Sequence, residues 1–204
     1  MSNILEVKNL TMHYETIDGD VDAVKNVSFN VKAGESFGIV GESGCGKTSV
    51  AMSLLQLQAE NGKISNGSIL FDGLELVGMS ENDLRKVRWD GISIVFQGAM
   101  NAWNPVVKIG EQIREAMREH SPESSKSQNT LKINELFTMV GLDSSVADRF
   151  PHELSGGMKQ RAIIALALSC DPKLVIADEP TTALDVVIQD LSLIHISEPT
   201  RRTT

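Results

Sequence analysis

Lys47 and Thr48 close the run Gly41-Glu42-Ser43-Gly44-Cys45-Gly46-Lys47-Thr48, and Ser49 follows it. The spacing G-x-x-x-x-G-K-[ST] is that of a loop that turns its backbone N–H groups onto phosphates. Glycine at 41, 44 and 46 lets the backbone approach an anion that side chains would hold off. A helix beginning near Lys47 adds its positive end, worth ~0.3–1 kcal/mol toward an anion at an exposed site. Lys47 is expected to reach the β- and γ-phosphates, and the Thr48 hydroxyl to ligate Mg2+. The alternative for this run alone is a glycine-rich turn that matches by chance.

Two further groups bear on that alternative. Lys173-Leu-Val-Ile-Ala-Asp178-Glu179-Pro180 reads as a buried strand that delivers two adjacent acids at its C-terminal end, where open α/β sheets bind ligands. Neighbouring strand residues point opposite ways, so the two acids take different tasks. Asp178 suits the Mg2+ shell and Glu179 suits polarising an attacking water. Without the phosphate loop upstream, a solvated acidic turn is the better reading. The third group is Leu154-Ser155-Gly156-Gly157-Met158-Lys159-Gln160-Arg161. Ser155 is a good N-cap, the two glycines expose N–H groups, and an apolar helix follows, giving a second anion-binding helix end. By itself that segment is also an ordinary capped helix.

The elements that position these groups follow from periodicity. Residues 4–7 and 27–31 alternate as strands, and 36–40 reads as a short buried strand entering the loop. The spacing predicts a helix over 47–57 with Val50, Ala51, Leu54 and Leu55 inward. Residues 67–71 form a strand stopped by Asp72-Gly73, and 92–96 a buried strand ending at Gln97. Amphipathic helices are expected over 109–119 and 131–140, stopped by Gly141, with a polar loop over 121–129 between them. A strand returns at 174–177. Residues 81–88 read as a solvated, charge-paired helix face.

Composition limits the function classes. The chain has 204 residues, enough for one sizeable core, and its formal net charge of −8 speaks against a general nucleic-acid binder. Cys45 and Cys170 do not make a disulfide scaffold, which fits a reducing compartment. The longest apolar run, 162–168, is far short of the ~20 residues that span a bilayer, so a membrane role is expected to come through a partner. The N-terminal segment lacks the apolar block of a signal peptide. His13, His120 and His152 have no metal-ligand spacing. Cys45 reads as a small tolerated side chain or, less readily, as a redox sensor; Cys170 reads as core. Trp89 and Trp103 read as candidate contact residues, with packing the better reading for Trp89.

In order and spacing, the three groups resemble the ATP-binding cassette ATPases. The resemblance covers residues 4–190. It implies an α/β P-loop NTPase fold with an antiparallel β subdomain and an inserted helical subdomain. Residues 1–99 and 170–190 would form the ATP-binding core, and 100–169 the helical subdomain with the signature. The implied cofactors are ATP and Mg2+. Tyr14 would stack on adenine, although a half-buried strand-end tyrosine is the alternative. Gly41, Glu42, Ser43, Gly44, Cys45, Gly46, Lys47, Thr48 and Ser49 would hold the phosphates. Ser155, Gly156, Gly157 and Gln160 would close the nucleotide from a second chain. Glu179, Lys47 and Gln97 would be catalytic, and Thr48, Gln97 and Asp178 would hold the metal. Thr182-Ala183-Leu184-Asp185 matches the loop that acts across the dimer.

Phe96-Gln97-Gly-Ala-Met100-Asn-Ala-Trp103-Asn104-Pro105-Val106, Arg149-Phe-Pro151-His152-Glu153 and the stretch from Cys170 to Asp185 look like the dipeptide, oligopeptide and nickel importers. That likeness implies a peripheral subunit on the cytoplasmic face of the cell membrane. It would pair head-to-tail with a second cassette ATPase, identical or homologous, and drive two integral membrane permeases. An extracytoplasmic peptide-binding protein would be an indirect partner, and no nucleic acid is expected. Residues 98–107 are the expected docking segment. A cassette protein acting on DNA or ribosomes, and a nucleotide-binding fragment without catalysis, are the rival readings.

After Asp190 the resemblance stops. The family's histidine that contacts the γ-phosphate lies beyond a further helix and strand, and His195 comes too early to replace it. Residues 191–201 look like a translated sequencing adapter, so 191–204 is expected to be a non-native tail. Resequencing the locus tests this; a native reading frame through codons 191–204 overturns it. The expectation for the 204 residues as written is poor solubility, from an unpaired sheet edge, and hydrolysis lower by roughly 10²–10³ without the histidine.

Overall fold

The computed structural model describes residues 2–96, 98–120 and 122–178, the backbone alone at Met100. The expectations on Gln97, Glu179, the 182–185 loop and the tail from 191 lie outside the described residues. The chain divides into two compact units, Met1–Arg88 and Trp89–Thr204.

The first unit carries a four-stranded antiparallel sheet in the order β2-β1-β3-β4, from β1 (Asn3–Thr16), β2 (Gly19–Lys32), β3 (Gly62–Phe71) and β4 (Leu74–Glu75). The sheet is the antiparallel β subdomain that the resemblance implied. β1 runs well past the expected 4–7. Its buried residues are Leu5, Val7, Leu10 and Met12, so the alternation changes phase between Val7 and Leu10. Asn9 takes a left-handed conformation (φ 50°) at that point, and the register slips there on both sides. A bulge inserts one residue and re-aims the rest of the strand at the core. The neighbours bend in step: Asn26 is left-handed, and a Cβ on Gly67 would stand 2.6 Å from the Leu10 Cα. Asp72 and Gly73 both have positive φ and join Phe71 to Leu74, as a two-residue hairpin turn requires.

Helix α1 (Lys47–Leu54) buries Val50, Ala51 and Leu54, with Leu55 buried just beyond. It stops short of residue 57 because Gln56 is left-handed and the N–H groups of Leu55 and Leu57 both turn back to the Met52 carbonyl. Helix α2 (Glu81–Val87) has Ser80 as N-cap and carries the exposed pairs Arg85–Glu81 and Lys86–Asp83. Arg88 departs from the solvated reading. Its guanidinium donates to the Leu55 and Gln56 carbonyls at 3.0 and 3.1 Å and so caps the end of α1.

Residues 36–40 are not a strand, contrary to the sequence reading. No strand among the described residues pairs with them, and Phe37, Ile39 and Val40 are exposed. Apolar composition alone does not make a strand, whose backbone groups need a ladder partner. Phe37 stacks on Phe29 instead, ring centroids 5.1 Å apart.

The second unit holds β5 (Ile92–Val95) and β6 (Leu174–Ala177), a parallel pair in the register Ile92↔Leu174 to Val95↔Ala177. Its helices are α3 (Ile109–His120), α4 (Lys126–Met139) and α5 (Gly156–Leu168). They share one apolar cluster in which Ile109, Ile113, Phe137, Ala162 and Ala165 have no exposed surface. Helix α4 begins inside the expected polar loop. Ser125 accepts from the Gln128 N–H, and the Gln128 side chain accepts from the Ser125 N–H, a reciprocal capping box that starts the helix five residues early. Gly141 (φ 68°) ends it as read. Trp103 is buried, its indole N–H donating to the Lys159 carbonyl at 3.4 Å, so it packs rather than offers contact. Among the described residues no helix is long and apolar enough to cross a membrane.

Candidate functional site

In the first unit the loop 41–48 is shaped by its glycines. Gly46 has φ 94°, and a Cβ there would stand 2.2 Å from the Ala23 carbonyl oxygen on β2. No other residue type fits that position without moving the strand. A Cβ on Gly41 would meet the Cys45 sulfur at 2.5 Å. The Cys45 N–H turns back to the Glu42 carbonyl at 3.2 Å. Gly46 is the N-cap of α1 and offers no side-chain cap to its first turn.

The Lys47 ammonium lies back on the loop. It donates to the Gly41 and Glu42 carbonyls, both at 2.9 Å, and approaches the Cys45 sulfur at 3.8 Å. The cation is therefore fixed at the loop by its own backbone. Glu42, Ser43, Gly44, Cys45 and Thr48 are exposed beside it. A loop whose Gly46 admits no side chain, an ammonium fixed on it and an uncapped helix start together fit a polyphosphate. Thr48 offers a hydroxyl, a hard oxygen donor of the kind Mg2+ takes.

Tyr14 lies on β1 in the same unit, half-buried, opposite Val21 and Gly62. Its hydroxyl is 3.3 Å from the Ser49 Oγ in the first turn of α1. The sequence named both residues but not the bond between them, which no spacing rule encodes across 35 positions.

In the second unit, the signature segment has the expected cap: Ser155 Oγ accepts from the Met158 N–H at 3.3 Å. Among the described residues, nothing lies within 4 Å of where a Gly157 Cβ would stand. Packing against the described residues thus leaves room for a side chain at position 157. Gln160 is buried at 4 % exposure, while Ser155 and Gly156 are exposed. Arg161 was quoted only as the end of the motif. Its guanidinium in fact donates to the Gly141 carbonyl at 2.6 Å and the Gly157 carbonyl at 3.4 Å.

Asp178 follows β6 directly. It is 8 % exposed, and its N–H donates to the Val95 carbonyl at 2.9 Å, extending the parallel pair by one bond. Its carboxylate is a second hard donor suited to Mg2+. No group of three or more His, Cys, Asp or Glu side chains among the described residues is gathered to hold a metal ion. Cys45 is exposed, and Cys170 is partly buried, with burial pushing its thiol above the ordinary range.

The sequence profile of the ABC transporter family matches residues 24–182. A dipeptide transport ATP-binding protein, DppD of Lactococcus lactis, is 45 % identical over 91 % of this chain and 54 % of its own length. An oligopeptide transport ATP-binding protein, OppD of Haemophilus influenzae, is 45 % identical over 93 % of this chain and 58 % of its own. The chain spans about half the length of these curated relatives. Among solved structures, a dimer of the ATP-binding cassette MJ0796 in a post-hydrolysis state with ADP and Pi aligns with a TM-score of 0.84. It is 30 % identical and is covered over 83 % of its length by 95 % of this chain. A family match that begins in β2, runs through the phosphate loop and the signature and continues past Asp178 settles the assignment: the chain belongs to the ABC transporter family.

Proposed function

We propose that this chain is part of the ATP-hydrolysing motor subunit of an importer of dipeptides or oligopeptides. The observation that carries the ATP site is the Lys47 ammonium held on the Gly41 and Glu42 carbonyls beside a glycine that tolerates no Cβ. The peptide cargo is supported by the relatives, which are dipeptide and oligopeptide transport ATP-binding proteins.

On this reading the loop N–H groups and Lys47 orient the β- and γ-phosphates. Bound Mg2+ would neutralise charge developing on them, held by Thr48, Asp178 and Gln97. Glu179 would accept a proton from the attacking water, and Gln97 would help to position it. Residues 1–99 and 170–190 act as one ATP-binding core, with 100–169 as the coupling lobe. Two chains pair head-to-tail, each ATP lying between Lys47 of one and Ser155 of the other. The exposed Gly156, and the open space among the described residues where a Gly157 Cβ would stand, support that role, and the buried Gln160 acts from behind them. The subunit works at the cytoplasmic face of the membrane through two permeases. Asn104 and Val107, latched to α3 by the Gln112 amide, present the exposed Val106 to them.

Uptake of a labelled dipeptide by cells that carry the native full-length gene tests the proposal. Replacing Lys47 with Ala or Glu179 with Gln in that gene should abolish uptake. Uptake that survives both changes contradicts it.

A further inference from the structure

Among the strands of the first unit, β1 brings one aromatic ring to the phosphate loop's helix. Tyr14 is the only tyrosine in the chain. Its ring lies over the Gly62 backbone, where a Cβ would stand 3.1 Å from the Tyr14 Cε1 and 2.7 Å from the Met12 Cε. Its hydroxyl meets the Ser49 Oγ at 3.3 Å. Ser49 is two residues beyond Lys47, and its carbonyl accepts from the Ser53 hydroxyl at 2.7 Å, one turn on. Both ends of the ring are therefore fixed, one by a strand that leaves it room and one by the helix that starts at the phosphate cradle.

We infer that Ser49 is a positioning residue for the nucleobase: its hydroxyl sets the Tyr14 ring at a fixed place relative to the phosphate loop. The inference rests on the nucleotide reading above and assigns Ser49 a task besides holding phosphate. Two hydroxyls suit this link, because each can donate or accept. An anchored ring has its ordering cost met before the ligand arrives, whereas a free ring must be immobilised on binding. Aromatic stacking is modest in energy, so that cost is a large part of what stacking returns.

Calorimetric titration of the chain with ATP and, separately, with inorganic tripolyphosphate, both with Mg2+, tests this. Ser49→Ala and Tyr14→Phe should each weaken ATP roughly 3- to 10-fold, as the loss of one ordered side chain implies. The double variant should be no weaker than Ser49→Ala alone. Tripolyphosphate, which has no base, should bind wild type and Tyr14→Phe alike and should lose less than ATP does in Ser49→Ala, and Ser49→Thr should restore ATP affinity. Tyrosine labelled with 13C at the ε positions gives one NMR signal, which should shift in Ser49→Ala without ligand. Equal weakening of ATP and tripolyphosphate by Ser49→Ala, with Tyr14→Phe silent, would place Ser49 on the phosphates and overturn the inference. So would multiplicative effects in the double variant or an unshifted NMR signal. Wild-type chain that binds neither ligand would overturn the nucleotide reading itself.

Discussion

The Arg161 guanidinium donates to the Gly141 carbonyl across 2.6 Å, tying the first turns of α5 to the left-handed residue that ends α4. The same group reaches the Gly157 carbonyl at 3.4 Å, so one planar fork holds the second signature glycine and the end of a neighbouring helix. Arg161→Ala should destabilise the second unit by about 1 kcal/mol, the usual net worth of such a bond. Arg161→Lys should not restore it, because a point ammonium lacks the fork. Urea midpoints of the three proteins check this; a full rescue by Lys contradicts it.

Gly46→Ala should weaken ATP binding by at least ~10-fold, because the methyl would stand 2.2 Å from the Ala23 carbonyl oxygen and the loop must leave its cradle conformation to admit it. Gly19→Ala is the comparison. It has an even larger positive φ of 115° but no atom within 4 Å of its Cβ position. That variant should lose stability and keep its affinity for ATP.

The helix at Lys126 depends on a reciprocal cap. Ser125→Ala should cost about 1 kcal/mol and raise amide exchange over the first turn of α4. Thr138→Ala, in the last turn of α4 where the hydroxyl bonds the Asn134 carbonyl, should leave exchange over that first turn unchanged. Equal effects of the two would deny the capping box.

The two cysteines should differ in reactivity. Cys45 is exposed in the phosphate loop and should alkylate first, and ATP with Mg2+ should slow it. Cys170 has its thiol raised by burial, so the folded chain keeps that proton to a higher pH than the unfolded chain does. Its contribution is therefore present below the ordinary thiol range and is lost as pH rises through the raised value. Between pH 7 and pH 10 the urea midpoint of the wild type should fall further than that of Cys170→Ala. An identical fall in both proteins removes Cys170 from the alkaline limb.

The local grammar of the site was legible because its information is local. Gly41, Gly44, Gly46 and Lys47 encode a backbone path, and Ser155 encodes a cap, within a few residues each. β6 at 174–177 and the stop at Gly141 were legible for the same reason. What depends on distant partners was not. The strand read at 36–40 has apolar character but no ladder among the described residues. The full length of β1 was hidden by the Asn9 bulge, which breaks the period of two that reveals strands. The start of α4 was an exception: Ser125 and Gln128 have capping-box spacing, and the polar composition around them masked it. Trp103, Arg88 and the Tyr14–Ser49 contact owe their roles to tertiary neighbours that one sequence does not display.

Equilibrium binding of radiolabelled ATP, with Mg2+ present, to the wild-type chain and to Lys47→Ala is the most direct measurement. Lys47 stands to give charge-assisted bonds to phosphate, each worth about 1.5–3 kcal/mol. The wild type should bind saturably, and Lys47→Ala should bind at least ~10-fold more weakly. Unchanged affinity in Lys47→Ala, or no saturable binding by the wild type, would contradict the assignment of residues 41–48 as the ATP site.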